Sequence, residues 1–232
     1  SWISTQPFTG SNQGGAVALN ANATVTFASK LDGTLTMVKR GSGAASLSVG
    51  NNTYTGTTRV ETGLLQVATT NVIPYGVGKG VVELYAAGTF DLNGYDVRIN
   101  GLQGEGMVTN TQSGTQTLRV GEASIFAFYS GTIAPSVTVS KQNAGAGYQL
   151  DCGADARVNP RVDGGVLALQ NVSRLQTPIT VAAGAQASLR AAANGLMAEF
   201  IDYTPVNTVG IDTNLLSAAS VNALFAQYTP TI

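Results

Sequence analysis

The chain has 232 residues, a formal net charge of −1 and no histidine. Charged residues make up 11% of the chain, against about 25% in an ordinary soluble domain. The low net charge excludes strong electrostatic attraction to nucleic acid or acidic lipid. The lack of histidine removes the commonest general base and the commonest metal ligand. The single cysteine, Cys152, excludes an intrachain disulfide and a thiolate zinc site.

The composition is also informative about location. A weakly charged chain rich in Gly, Thr and Asn suits an extracellular or envelope protein, whose solubility rests on hydroxyl and amide groups. No stretch approaches the roughly 20 continuous apolar residues of a membrane span, so we expect no membrane insertion. The chain opens with SWISTQPF, so we expect any signal peptide to have been removed or to lie outside the fragment. We predict an extracellular or cell-surface protein.

Short runs of alternating apolar residues follow one another along the chain, each bounded by Gly, Asn, Asp, Pro or Ser. They lie at 16–27, 34–38, 46–49, 64–67, 81–85, 97–99, 116–120, 136–139, 165–168 and 179–181. Alternation with period two between turn residues predicts β-strands. Because no helical pattern separates the runs, the sequence predicts an all-β domain. Sandwich, barrel and β-helix architectures are all consistent with this pattern.

Internal repetition favours the β-helix among these architectures. The segments 33–49 and 135–150 both run from a strand through Lys to a Gly-rich turn and a second strand. The phrases at 61–67, 86–92, 163–169 and 182–189 share a small residue, then Gly, then the start of a strand. Imperfect repetition is typical of stacked units that bury a core only against their neighbours.

The segment 34–67, TLTMVKRGSGAASLSVGNNTYTGTTRVETGLLQV, resembles the autotransporter-associated β-strand repeat, a passenger-type, pectin-lyase-like parallel β-helix family. The positions that match the repeat are Asn52, Thr53, Tyr54, Thr55, Gly56, Thr58, Val60, Gly63, Leu65 and Val67. Residues 87–110, with the phrases DLNG and GLQGEG, resemble the segment that commonly follows it. The resemblance implies a right-handed parallel β-helix from an extracellular adhesive, fibrous or scaffolding protein, without enzymatic activity.

The motif residues also have a physical interpretation. Asn51 and Asn52 lie where a strand must turn, and Asn tolerates the left-handed conformation. In stacked coils we expect Asn amides to bond from rung to rung. We expect Tyr54 to pack its ring and to keep its hydroxyl in water. We expect Gly56 to supply a positive φ at the exit of the turn.

One charged segment is a candidate for chemistry. Asp151, Asp155 and Asp163 cluster with Arg157 and Arg161 within residues 151–165. We favour a loop of mutually paired surface charges. Calcium binding and paired carboxylates of a polysaccharide hydrolase are the alternatives. We therefore assign no catalytic, cofactor-binding or metal-binding residue, and no cofactor.

Two other patterns have structural interpretations that we prefer. Asp91 and Asp96 flank LNGY and are expected to stabilise a turn. Gly101, Gly104 and Gly106 form GLQGEG, which lacks the Lys and Ser/Thr of a phosphate-binding loop. We expect a tight turn of the coil there.

The remaining candidates are aromatic and thiol groups. Phe126, Phe128 and Tyr129 form the densest aromatic patch, expected to be core with one exposed ring, or alternatively a platform for stacking a sugar. Cys152 is expected to be a structural thiol or, in an oxidising medium, half of an intermolecular bridge.

The alternation breaks near residue 191. We divide the chain into an N-terminal extension (1–14), a parallel β-helix (15–190) and a C-terminal cap, extension or linker (191–232). The last segment contains a possible short helix from Asp212 or Thr213 to Gln227.

We predict a non-enzymatic extracellular structural protein, a surface scaffold or a self-assembling fibre subunit. The alternative is a glycan-binding adhesin module of a bacterial surface protein, followed by a polysaccharide-degrading enzyme. The partners that we expect are a second copy, bound head to tail, and an extracellular glycan. The first expectation rests on the uncharged segment 1–14, whose Trp2 and Phe8 are costly to leave in water.

Overall fold

A computed structural model shows the chain as a parallel β-solenoid. It describes residues 8–10, 15–123, 125, 127–142, 147–151, 159–164, 166–170, 179–182, 186–190, 201–202 and 208–212. Every regular secondary-structure element among these residues is a β-strand, which confirms the predicted all-β class. In the same part of the chain, no helix has the length and apolar character needed to cross a membrane. Most of the predicted helix near the C-terminus lies outside the described residues.

The strands are short and follow the predicted apolar runs. They are β1 (Phe8–Gly10), β2 (Ala16–Asn20), β3 (Val25–Phe27), β4 (Leu31–Gly33), β5 (Thr36–Arg40), β6 (Ala44–Leu47), β7 (Thr58–Val67), β8 (Val82–Asp91), β9 (Val97–Ile99), β10 (Leu102–Gly104), β11 (Met107–Thr109), β12 (Gln116–Val120), β13 (Phe128–Tyr129), β14 (Thr132–Ile133), β15 (Val137–Lys141), β16 (Gly147–Asp151), β17 (Asn159–Val162), β18 (Val166–Gln170), β19 (Ile179–Val181), β20 (Gln186–Arg190), β21 (Ile201–Asp202) and β22 (Thr208–Asp212).

Three parallel sheets run along the stack. The main sheet follows the order β2-β5-β7-β8-β10-β13-β16-β18-β20-β22, and β3, β6, β11 and β14 join it through β7 and β8. The second sheet follows β9-β12-β15-β17-β19-β21, and the short sheet pairs β1 with β4. Paired residues are between 18 positions apart, as in Thr89 with Met107, and 25 positions apart, as in Gly104 with Tyr129. Each coil therefore adds one strand to a sheet.

Strands β7 and β8 are ten residues long because each continues round a corner of the coil. At that corner Gly63 pairs with Gly88 of the next coil. A Cβ atom on Gly63, whose φ is 70°, would come within 2.3 Å of the Gly41 carbonyl oxygen. The recurring small residue and Gly at 61–67 and 86–92 thus reflect coils that approach too closely for a side chain.

The core consists of inward-facing apolar side chains from successive coils. Its fully buried members include Leu31, Met37, Val60, Leu65, Leu84, Phe90, Leu102, Val108, Leu118, Tyr129 and Val139. Each large apolar side chain contributes roughly 1.5–3 kcal/mol by leaving water. Because these side chains stack between coils, no single coil has a core of its own.

Strands also lie in both segments that the sequence set apart from the β-helix. Phe8 in β1 pairs with Leu31 in β4. Thr208–Asp212 pairs with Gln186–Arg190, so parallel pairing extends past residue 190. The limits of the three predicted segments stay predictions.

The structure corrects two details of the repeat motif. Asn51 has the expected left-handed backbone, with a φ of 56°. Gly56 does not have a positive φ; a Cβ atom there would instead lie 2.4 Å from the Leu35 carbonyl oxygen, so glycine permits a close approach of two coils. The Tyr54 hydroxyl is not in water, because it is buried against the Thr58 hydroxyl. Burial raises the pKa of Tyr54.

Candidate functional site

The predicted cluster of aspartates is described only in part. Asp155 and Arg157 lie outside the described residues, as does the side chain of Asp151. Asp163 accepts hydrogen bonds from Arg161 Nε at 2.6 Å, Ser140 Oγ at 2.5 Å and Gln142 Nε2 at 3.1 Å. Its partial burial favours a raised pKa, but the hydrogen bonds from Ser140 and Arg161 outweigh burial and lower the pKa. This carboxylate is paired within the chain, and the calcium and catalytic hypotheses stay untested.

The predicted turn aspartate, Asp91, is fully buried and stabilises its turn. Its Oδ1 atom accepts hydrogen bonds from the backbone N–H groups of Asn93 at 2.9 Å and Thr111 at 3.0 Å. Its Oδ2 atom accepts from Thr111 Oγ1 at 2.7 Å and Gln66 Nε2 at 2.9 Å. The turn role of Asp91 is confirmed, and it also joins neighbouring coils. Asp96, for which the same role was predicted, instead accepts hydrogen bonds from the Thr117 N–H and from Arg119 of the next coil.

The glycine phrase GLQGEG forms the expected tight turn of the coil. The N–H groups of Glu105 and Gly106 both donate to the Leu84 carbonyl oxygen of the preceding coil, at 2.8 and 3.1 Å. Gly104 has a φ of 98°. These backbone donors serve the fold, so the phrase is not a phosphate-binding loop.

Two buried lysines were not identified as structural residues from the sequence. Lys39 is fully buried, and its Nζ atom donates to the carbonyl oxygens of Arg40 and Gly41, both at 2.7 Å, and of Thr62 at 3.1 Å. Lys141 is equally buried and donates to the carbonyl oxygen of Gln142. The sequence feature that could have identified them is the shared order of strand, Lys and Gly-rich turn in the segments 33–49 and 135–150.

Buried asparagines join coils in a way that differs from the predicted amide ladder. Asn52 accepts from the Leu31 N–H at 2.8 Å and donates to the Val72 carbonyl oxygen at 2.8 Å, about 20 positions away in each direction. Asn100 accepts from the Gly76 N–H at 2.7 Å and donates to the Lys79 carbonyl oxygen at 2.7 Å. The Asn52 amide therefore bonds from coil to coil, as expected, although its partners are backbone groups and not a stacked asparagine.

A groove of about 340 Å³ lies on the outer surface, where β8 and β10 reach the corner of the coil. It is lined by Glu83, Leu84, Tyr85, Ala86, Gly104 and Glu105. The spacing from Leu84 to Ala87 is one residue longer than the paired spacing from Val60 to Thr62, which makes a β-bulge. A bulge turns its side chains away from the regular alternation. Tyr85 points outward in alternation with the buried Leu84 and is 45% exposed, and the bulge adds Ala86 and Ala87 to the exposed face.

The charges at the groove are unequally paired. Arg59 Nε donates to Glu83 Oε2 at 2.7 Å, and this hydrogen bond raises the pKa of the Arg59 guanidinium. The Arg59 guanidinium carbon lies 5.7 Å from the centre of the Tyr85 ring. Glu105 is exposed and forms no ion pair with any residue that the structure describes. The groove thus combines a supported aromatic ring with an available carboxylate.

The outer row of the main sheet continues from the groove to a second exposed ring. Arg59 pairs with Glu83, and Glu83 with Gln103. Because Gly104 pairs with Tyr129, the preceding Phe128 follows Gln103 in the same row. Phe128 is 41% exposed and Tyr129 is fully buried. Phe126, the third member of the predicted aromatic patch, lies outside the described residues.

Comparison with known proteins gives one informative similarity. The chain is 29% identical over 160 residues to a protein described as "Adhesin BmaC autotransporter" from Brucella suis biovar 1 (strain 1330). The match covers 67% of this chain and 5% of that protein. No protein-family profile matches the chain, and no solved structure matches it significantly. The similarity and the parallel solenoid together support an autotransporter-passenger-like β-helix at a coarse level.

Proposed function

We propose that this chain is a segment of a cell-surface, adhesin-like protein and that its role is adhesive and structural, without catalysis. The similarity to an autotransporter adhesin over 160 residues carries this proposal. The parallel β-solenoid supports it, because stacked coils make an elongated scaffold with a long outer surface. An extracellular location follows from the same proposal.

The outer faces are suited to a rigid scaffold. Ion pairs join neighbouring coils at Arg40 with Glu61, Arg59 with Glu83, Arg98 with Glu122 and Arg119 with Asp96, over distances of 2.7–3.2 Å. Exposed pairs of this kind stabilise a fold by only about 0–1 kcal/mol each. Their larger effect is to fix the side chains, so that the outer surface is preorganised for contact.

The adhesive role can be tested with the purified chain. Beads coated with the folded chain should be retained on host-cell layers or extracellular matrix, and free folded chain should compete for retention. Beads coated with heat-unfolded chain at equal density are the control, because they present the same composition without the surface. Retention no greater than that of the control beads across a panel of surfaces would overturn the proposal.

A further inference from the structure

We infer that the groove between Tyr85 and Glu105 binds a neutral glycan that lies along the stack towards Phe128. This inference rests on the proposed adhesive function and adds the site and the chemical class of the ligand.

The aromatic ring of Tyr85 is the first recognition element. A sugar ring has an apolar face of C–H groups, and such a face packs on an exposed aromatic ring. Tyr85 is 45% exposed on a bulge, and Arg59 supports its ring through a cation–π contact at 5.7 Å. Because Glu83 holds Arg59 in turn, the ring is fixed before a ligand arrives, which reduces the entropy lost on binding.

Polar groups next to this ring match the hydroxyl groups of a sugar. Glu105 is exposed, and its carboxylate can accept two hydroxyl hydrogens. Gln103, partly buried, pairs with Glu83 and provides an amide that both donates and accepts. Gly104 lines the groove between them. Few, fixed polar groups around an apolar platform are typical of small-ligand sites.

The charges select against acidic glycans. Arg59, the cation that contacts the Tyr85 ring, is already paired with Glu83. Because Glu83 is compensated by Arg59, the uncompensated charge at the groove is the Glu105 carboxylate, which a uronate or sialate would meet. Like charges brought together in this way oppose binding. A neutral hexose or N-acetylhexosamine chain meets no such repulsion.

The direction of the ligand follows from the geometry of the stack. Glu83, Gln103 and Phe128 occupy successive coils of one outer row. At about 4.8 Å per coil, Phe128 lies two coils or roughly 10 Å along the axis from the level of Glu83. Tyr85 lies two residues beyond Glu83 on β8, so the two exposed rings are two coils apart on neighbouring outer rows. This separation favours an extended oligosaccharide over a single sugar.

The experiment measures binding of the full chain to immobilised neutral, amino and acidic oligosaccharides. We expect binding to neutral glycans that weakens at least tenfold in Tyr85→Ala, while Val77→Ala, at a residue 95% exposed on another loop, binds like the unmodified chain. Phe128→Ala should weaken binding of long oligosaccharides more than that of disaccharides. Glu105→Lys should gain binding to acidic glycans.

The outcomes separate the site from the general function. Equal binding by Tyr85→Ala and the unmodified chain, with matching circular dichroism, would overturn the site. Preferential binding of acidic glycans by the unmodified chain would overturn the ligand class. Bead retention without any glycan binding would point to a protein partner and reject this inference, while the adhesive function would stand. Glycan binding without bead retention would reject the adhesive function alone.

Discussion

The Lys39 Nζ atom donates a hydrogen bond to the Thr62 carbonyl oxygen, 3.1 Å away and 23 positions later in the chain. The same ammonium group donates to the carbonyl oxygens of Arg40 and Gly41. A buried charge is tolerated only when its donors are satisfied, and here all three N–H groups have acceptors. Lys39 therefore joins two coils at the corner where the strand bends.

Replacing Lys39 with Met should destabilise the fold by about 2–4 kcal/mol, because buried carbonyl groups lose a charged donor. Urea denaturation of the variant and the unmodified chain would measure the change. Lys30→Met is the matched control, since Lys30 is exposed, and it should change the free energy of unfolding by less than about 0.5 kcal/mol. Equal midpoints for the two variants would contradict the role of Lys39.

Replacing Gly56 with Ala tests the close approach of two coils. The new Cβ atom would lie 2.4 Å from the Leu35 carbonyl oxygen, to which the Gly56 N–H donates at 3.1 Å. We expect a loss of about 1–3 kcal/mol, because the coils must separate. Gly15→Ala is the control, as a Cβ atom there has no atom within 4 Å and the backbone φ is not positive. A denaturation midpoint that moves equally in both variants would show that coil spacing is not the reason for glycine.

The fold class was predictable because alternation marks strands and repetition marks stacking. The assignment of individual strands to the three sheets was not predictable from the sequence. Lys39 is the penultimate residue of β5 and Lys141 the last residue of β15, in similar sequence segments, yet β5 belongs to the main sheet and β15 to the second sheet. Alternation indicates which side chains point inward, but it carries no information about which face of the coil a strand occupies.

The groove could not be predicted from local sequence. Tyr85 follows the alternating run VVEL and would be assigned by pattern to an ordinary strand. Alternation with the buried Leu84 places Tyr85 on the outside, but the groove beside it depends on the register shift between Val60–Thr62 and Leu84–Ala87 of two paired coils. Such a shift is a property of paired coils, so it is visible only when both are placed.

Stability should change little between about pH 5.5 and 7.5, because the chain has no histidine. Above that range Lys141 matters, since burial lowers its pKa to about 8 from an ordinary value of 10.5. Between pH 8 and 10.5, Lys141 keeps its proton in the unfolded chain but has released it in the folded chain. The free energy of unfolding should therefore rise with pH, by on the order of 1–3 kcal/mol.

Above about pH 10 the trend should reverse. Burial raises the pKa of Tyr54 and Tyr129, so these phenols stay neutral in the folded chain while they ionise in the unfolded chain. Thermal melting across pH 6–11 would test both trends. In Lys141→Met the rise above pH 8 should become smaller and the later fall should remain; burial also lowers the pKa of Lys39, which keeps part of the rise. A rise of undiminished size in this variant would assign it to another group.

The last prediction concerns self-association, which we propose as a head-to-tail contact between copies. Strands β2 and β3 each pair on one side only among the described strands. An unpaired strand edge is a template for another chain, and a chain with 11% charged residues offers little repulsion. Sedimentation at high micromolar concentration should show species larger than a monomer, and deletion of residues 1–14 should abolish them. A monomeric full chain, or association that survives this deletion, would contradict the proposal.

A shorter deletion makes the test specific. Removing residues 1–14 also removes β1, whose Phe8–Gly10 backbone pairs with β4 within the same chain. Removing residues 1–7 keeps β1 and removes Trp2, so the two variants separate loss of the docking segment from loss of an internal strand. We expect both deletions to give monomers with unchanged β-rich circular dichroism, because a large apolar side chain such as Trp2 supplies roughly 1.5–3 kcal/mol when it leaves water. Association that persists in the 1–7 deletion and ends only in the 1–14 deletion would show that β1 and its edge, and not Trp2, make the contact.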